Sequence, residues 1–295
     1  MDFIRKEKPE CCKLLTIQNN GIMYLQFPAF NEIPDISHLF TTRMGGVSEG
    51  IFSNMNLSYT RGDEKEAVDE NYRRVAAVLG CSKEDMVCSD QTHTTNIRKV
   101  TEEDKGKGVT RTKDYKDVDG LVTACPGIAL ATFYADCVPL YFVDPVKKVI
   151  GLAHAGWRGT VGRIGSKMIE YMQKEYECAC KDILVAIGPS ICKDCYEISE
   201  DVAQKFREEL GEQVLFKGKN PGKYQLDLWK SNEIVLLSAG LDPSQISITD
   251  ICTCCNDKLL FSHRASHGKR GNLGAFLMLK KTGGVNDYAE YTDLR

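Results

Sequence analysis

Residues 149–160 read Val149-Ile150-Gly151-Leu152-Ala153-His154-Ala155-Gly156-Trp157-Arg158-Gly159-Thr160. The run 149–153 has the length and apolar character of a strand. Glycines allow a tight turn after it, and the spacing predicts a helix from about Thr160. A continuous apolar run suits a strand buried on both faces. The residue at its carboxyl end, His154, therefore points into the crevice where ligands bind in α/β sheets.

Working outward, further apolar runs of strand length occupy 128–134, 140–143, 183–187, 246–249 and 275–279. Helices announce themselves by their ends. Asp63 with Glu66 makes a capping-box pattern, Val68, Val75 and Leu79 follow at helical spacing, and Gly80 supplies the stop. Ser199 opens a segment with Val202, Phe206 and Leu210 on one face, closed by Gly211, and 227–240 reads the same way. Strands and helices are interspersed and no linker divides them, which predicts a single α/β domain built on a layered mixed β-sheet with flanking helices. The polar stretch 101–116 reads as a solvated loop. Pro139 is expected to interrupt regular structure.

Composition narrows the function. The 295 residues carry 38 Lys+Arg against 41 Asp+Glu, a net charge of −3. That balance argues against a nucleic-acid binder, which carries a cationic excess. Hydrophobic residues make up 42% of the chain, ample for a core. No window reaches the roughly 18 consecutive apolar residues of a membrane span, and Met1-Asp2-Phe3-Ile4-Arg5-Lys6 leads into charge rather than an apolar stretch, so a cytoplasmic protein is expected. Thirteen cysteines, an odd number in a long chain, read as reduced thiols, some of them available to metal.

Only five histidines are present: His38, His93, His154, His263 and His267. His93 stands in Gln91-Thr92-His93, and Cys137 in Ala135-Asp136-Cys137-Val138-Pro139. Two histidines and a thiolate make a zinc ligand set that leaves one tetrahedral position open, as catalytic sites do. Separations of 44 and 17 residues carry no short-range signature. A buried Cys or a hydrogen-bonded core His accounts equally well for any one of them taken alone.

The ordered segments Thr41-Thr42-Arg43-Met44-Gly45-Gly46-Val47-Ser48, Gln91-Thr92-His93, Asp117-Val118-Asp119-Gly120, 135–139, 154–160, Ile187-Gly188-Pro189-Ser190 and Phe261-Ser262-His263-Arg264 closely resemble the laccase-domain family of purine nucleoside phosphorylases. That family has also been labelled polyphenol oxidase and peptidoglycan editing factor. The likeness runs from about His38 onward, so 38–295 is expected to be the family domain and 1–37 an N-terminal extension packed on it. The resemblance implies a fold similar to the cytotoxic necrotizing factor catalytic domain and one catalytic Zn2+ held by His93, Cys137 and His154. It further implies phosphorolysis of adenosine, inosine and S-methyl-5'-thioadenosine with inorganic phosphate, accompanied by adenosine deamination. Where relatives commonly carry Gly after the first ligand His, this chain has Thr94, which adds a side chain beside the metal.

Supporting groups follow from residue type and motif. Arg43, beside Gly45 and Gly46, offers its fork and nearby amides to phosphate. Arg158, at a helix start, is a second anion candidate, although it also suits stacking on Trp157. Asp136 and Asp119 are candidates for relaying protons or orienting a ligand histidine. Gln91 and Arg264 complete the substrate-binding set. His38 and His267 are read as surface residues. Cys192-x-x-Cys195 and Cys252-x-Cys254-Cys255 supply enough thiolates for a second, structural zinc, but packed or exposed thiols are the commoner outcome and the one expected.

Two other functions compete. A multicopper oxidase would use two histidines in an electron-transfer site, and the remaining three cannot fill a histidine-ligated trinuclear cluster, so copper is not expected. A cysteine hydrolase, with Cys137 as nucleophile and His154 as base, would suit the editing of peptidoglycan precursors. Neither nucleic acid nor membrane is an expected partner, and the sequence leaves the oligomeric state open.

Overall fold

The computed structural model describes residues 2–6 and 11–281. In chain order the first strands are β1 (Cys11–Cys12), β2 (Leu15–Asn19), β3 (Ile22–Gln26), β4 (Ile36–Thr41), β5 (Met86–Cys88), β6 (Ile97–Lys99), β7 (Gly120–Thr123) and β8 (Ala129–Tyr134). The chain continues with β9 (Val138–Asp144), β10 (Val149–Ala155), β11 (Leu184–Ile187), β12 (Glu197–Ser199), β13 (Leu215–Lys217), β14 (Lys223–Leu226), β15 (Ile246–Thr249) and β16 (Leu273–Leu279). The α-helices are α1 (Pro28–Asn31), α2 (Lys65–Leu79), α3 (Trp157–Val161), α4 (Ile164–Tyr176), α5 (Glu200–Leu210) and α6 (Leu228–Ser238).

Two large mixed sheets dominate the mixed α/β fold. One runs β1-β15-β11-β9-β10-β7-β6, the other β2-β3-β4-β16-β8-β5, and a small antiparallel sheet runs β12-β14-β13. Segment 11–26, within the expected N-terminal extension, supplies an edge strand to each large sheet, with Cys11 beside Ile248 and β2–β3 beside β4.

Period-2 alternation explains why the central strands are apolar throughout. Along β9, Leu140 and Phe142 face a core shared with α4, α5 and α6, whereas Tyr141 and Val143 face the second sheet. On β16, Ala275, Leu277 and Leu279 face the first sheet, whereas Phe276 and Met278 pack on Val68, Tyr72 and Val75 of α2. The order of layers is helix, sheet, sheet, helices. Both faces of each sheet are covered, so burial of roughly 1.5–3 kcal/mol per large side chain is collected on either side of every central strand.

Several local expectations need correction. The helix after His154 starts at Trp157 and is broken, because Arg163 between α3 and α4 adopts a left-handed conformation with φ 59°. Asp63 does not cap α2; its carboxylate instead accepts from Asn56 Nδ2 and Glu64 N–H. Pro139 does not end the strand. It pairs with His154 at the entry to β9, where its missing N–H is tolerated and its carbonyl accepts from Gly188. The stretch 101–116 is not all solvated, since Asp104 and Lys107 are buried and paired at 2.8 Å.

His38 is not a surface residue. It is 2% exposed, accepts the Phe27 N–H at Nε2 (2.8 Å), and lies among the rings of Phe27, Phe30 and Tyr141. Burial, with a smaller push from Lys280, lowers its pKa to about 3. No helix among the described residues is long and apolar enough to cross a membrane.

Candidate active site

Register brings two of the three expected ligands together. The β9–β10 pairing sets Ala155 against Val138, so Cys137, one residue outside the pair, lies next to His154 at the end of β10. His93 arrives from a different element, the turn between β5 and β6, in a left-handed conformation (φ 67°). The ligand atoms of His93, Cys137 and His154 all lie within 4.8 Å of one another, and the two imidazoles meet edge-on with ring centroids 4.9 Å apart. Gly156 makes the approach possible. A Cβ there would come within 2.8 Å of the His93 ring and 3.2 Å of Cys137 Sγ.

A single carboxylate organises this convergence. Asp119, fully buried at the start of β7, accepts the backbone N–H groups of Thr92, His93 and Thr94 at 2.8–3.1 Å, and the His154 Nδ1–H at 2.7 Å. Holding the proton on Nδ1 leaves Nε2 of His154 to face the sulfur. Thr94 turns its hydroxyl to Asp119 Oδ2 at 2.9 Å, so its side chain reinforces the carboxylate. Burial alone would raise Asp119, but the hydrogen bond and charge of His154, together with the backbone donors, keep its carboxyl below the ordinary range.

Charge is redistributed within the triplet. Burial pushes the Cys137 thiol up, yet the positive charge and hydrogen bonds of His154 and His93 bring it down to about 6. His154 is opposed by burial and raised by Cys137 and Asp119 to about 9. A thiolate beside an imidazolium is a pair from which a cation can displace the proton. Bond lengths of about 2.0–2.1 Å to nitrogen and 2.3 Å to sulfur place tetrahedral donors roughly 3.3–3.6 Å apart, inside the 4.8 Å that bounds the three ligand atoms. The residues present therefore fit a zinc ion.

The triplet borders a cavity of about 380 Å³. Arg61, Lys113 and Arg270 line it together with the rings of Tyr59, Phe133 and Tyr134, the carboxylate of Asp90, and Gln91. Burial and the neighbouring Arg61 lower Arg270 to about 10, and its Nε is buried without a partner. Two guanidiniums crowded at a cavity wall are an arrangement that an anion relieves.

Of the other residues expected from sequence, Gln91 lines the cavity but is clamped to the main chain of Phe133 through both amide atoms. Arg43, Arg158, Arg264 and Asp136 lie outside the lining. Arg43 donates to the carbonyls of Ser53 and Asp257 and covers Phe261. Arg158 is exposed and stacks on Trp157, 4.2 Å from the ring centre. Arg264 donates to the carbonyls of Cys195 and Glu197, and Asp136 accepts from Thr253 Oγ1 and Arg264 N–H, both at 2.7 Å. Arg61 and Arg270 went unread because each sits in a polar loop with no periodic or motif signal.

A layered mixed fold with a His-Cys-His donor set at the end of its central strands defines the class, and the chain belongs to the family described as multi-copper polyphenol oxidoreductase laccase, whose model matches residues 37–280. Purine nucleoside phosphorylase YlmD of Geobacillus stearothermophilus is 41% identical over 243 residues, which cover 80% of this chain and 88% of that protein. The purine nucleoside phosphorylase YlmD of Bacillus subtilis is 36% identical over 247 residues, covering 82% and 88%. A crystal structure of YlmD from Geobacillus stearothermophilus aligns with a TM-score of 0.83 and 37% identity over 91% of this chain and 100% of that one. The family's description names copper, yet only His93 and His154 of the five histidines reach the donor set. His38 is bonded inside the core, and His263 and His267 are exposed.

Proposed function

We propose that this protein is a zinc-dependent purine nucleoside phosphorylase acting on adenosine, inosine and S-methyl-5'-thioadenosine, with adenosine deamination as a second activity. The observation that carries the reading is the junction of a two-nitrogen, one-sulfur donor set with a cationic, aromatic-walled cavity, in a chain whose relatives bear that name. In phosphorolysis the bond from C1′ to the purine nitrogen breaks, a phosphate oxygen bonds to C1′, and the departing base takes a proton. Arg61 and Arg270 would hold the phosphate dianion and position it for attack, and Tyr59 and Phe133 offer flat apolar faces to the purine. His93, Cys137 and His154 would hold zinc, which supplies Lewis-acid polarisation of a bound oxygen. Asp119 would orient the His154 imidazole directly and hold the main chain of the turn that carries His93. For deamination the proton carrier in this reading is Asp90, which lines the cavity in an ion pair with Lys113, rather than Asp136, which lies outside the lining. A cytoplasmic setting belongs to this reading, in keeping with thirteen cysteines read as reduced thiols.

Purified protein incubated with inosine should release hypoxanthine and ribose 1-phosphate only when phosphate is present. Base release that ignores phosphate, or none at all, would overturn the reading.

One observation favours a second reading. Cys137, His154 and Asp119 form a nucleophile, base and orienting carboxylate in sequence, as a cysteine hydrolase of peptidoglycan precursors would need. Against it, His93 supplies a third donor that such a hydrolase does not need.

A further inference from the structure

The four cysteines expected to be independent thiols converge instead. Cys192-x-x-Cys195 follows β11 and Cys252-x-x-Cys255 follows β15, and these strands are parallel neighbours with Ile187 beside Ile248. Their carboxyl ends therefore deliver two Cys-x-x-Cys turns to the same place. The turns are stitched by a bridge between Ser190 and Cys252 and by the Thr253 N–H to the Ser190 carbonyl at 3.1 Å. All four sulfurs lie within 4.8 Å of one another. Cys195 Sγ is 3.6 Å and Cys192 Sγ 4.0 Å from Cys255 Sγ.

We propose that these four thiolates bind a second, structural Zn2+. Zinc–sulfur bonds of about 2.3 Å in a tetrahedron set neighbouring sulfurs about 3.8 Å apart, between the two separations observed. The sulfurs are far beyond the roughly 2.05 Å of a disulfide. Backbone N–H groups of Cys192 and Cys255 donate to Cys252 Sγ at 3.2 and 3.4 Å, which stabilises a thiolate there. Cys192 and Cys252 are buried, and four thiolates close the coordination shell, so this site is structural. Its purpose follows from its neighbours. Thr253, inside the second turn, bonds Asp136; Ile191 N–H donates to the Asp136 carbonyl; Arg264 ties the Cys195 carbonyl to the same residue. The ion would thus brace the left-handed residue (φ 90°) that precedes Cys137.

Elemental analysis of the full-length protein, prepared under reducing conditions, should give two zinc equivalents. Cys192→Ser and Cys255→Ser should each leave one, His154→Ala should also leave one, and combining His154→Ala with Cys255→Ser should leave none. This stoichiometry separates the sites, so failure at one is distinguishable from failure at the other. Cys254→Ser should retain both ions, and Cys255→His, which keeps four donors, should restore the ion that Cys255→Ser loses. If Cys255→Ser does not fold, differential alkylation of the wild-type protein decides: the four cysteines should resist iodoacetamide until a chelator is added. A zinc content that Cys192→Ser and Cys255→Ser leave unchanged, iron in place of zinc, ready alkylation of all four thiols, or a disulfide among them in the non-reduced mass would overturn the assignment.

Discussion

The carboxylate of Asp119 and the imidazole of His154 are joined at 2.7 Å, Oδ1 to Nδ1, although they lie 35 residues apart, Asp119 just before β7 and His154 within β10. The same carboxylate holds the turn that carries His93. One buried charge thus sets two of the three proposed ligands. Asp119→Asn keeps the volume but sets an amide against several donors. Metal affinity should fall about 10–100-fold, measured by competition with a chromophoric chelator. An unchanged affinity would remove Asp119 from the positioning role.

Alkylation separates the two functional readings. With metal stripped, Cys137 has a pKa near 6, so its thiolate predominates above that pH. Iodoacetamide should label Cys137 faster as pH rises through about 6 and reach a plateau near neutrality. Zinc reloading should suppress the labelling, whereas a hydrolytic cysteine would stay reactive in the metal-loaded protein. Mass spectrometry of the peptide containing Cys137 reads the outcome.

Phosphate recognition should track the cavity. A hydrogen bond to a charged group contributes about 1.5–3 kcal/mol, so Arg61→Ala or Arg270→Ala should raise the KM for phosphate or lower kcat/KM by roughly 10–100-fold. Arg158→Ala, stacked outside on Trp157, should change it little. Initial rates at varied phosphate provide the comparison, and a larger effect at Arg158 would move the anion site elsewhere.

His38 gives a stability prediction. Its pKa is lowered from 6.5 to about 3 in the folded protein, so between those values the unfolded chain holds the extra proton. Stability from this residue is complete above about pH 6.5 and is lost as pH falls toward 3, by up to about 1.4 kcal/mol per pH unit. Chemical denaturation of wild type and His38→Gln across that range should show the slope in the wild type and a smaller one in the variant.

The extent of legibility differed among these features for physical reasons. Strands 140–143 and 149–153 were readable because two-sided burial demands unbroken apolar runs, and α5 and α6 because their ends carry Ser199, Gly211 and Asp227. The donor triplet was legible through the family motifs, and the structure brings the same three residues together. Arg61 and Arg270 were not, since a cation lining a cavity looks in sequence like any solvated loop cation. His38 misled for the opposite reason: a lone imidazole in a strand carries no sign of the Phe27 N–H that satisfies it.

By itself the sequence determined the alternation of strands and helices and the reduced state expected of its thiols, because those depend on side-chain chemistry and on spacing within a few residues, and it pointed to the candidate donors only through the family motifs. Only the tertiary structure decided that two sheets stack rather than one, that Asp119 rather than Asp136 orients His154, and that two Cys-x-x-Cys turns 60 residues apart share one corner of the fold. Those outcomes depend on strand register and on which buried polar group finds which partner. Neither is encoded in any local window of the chain.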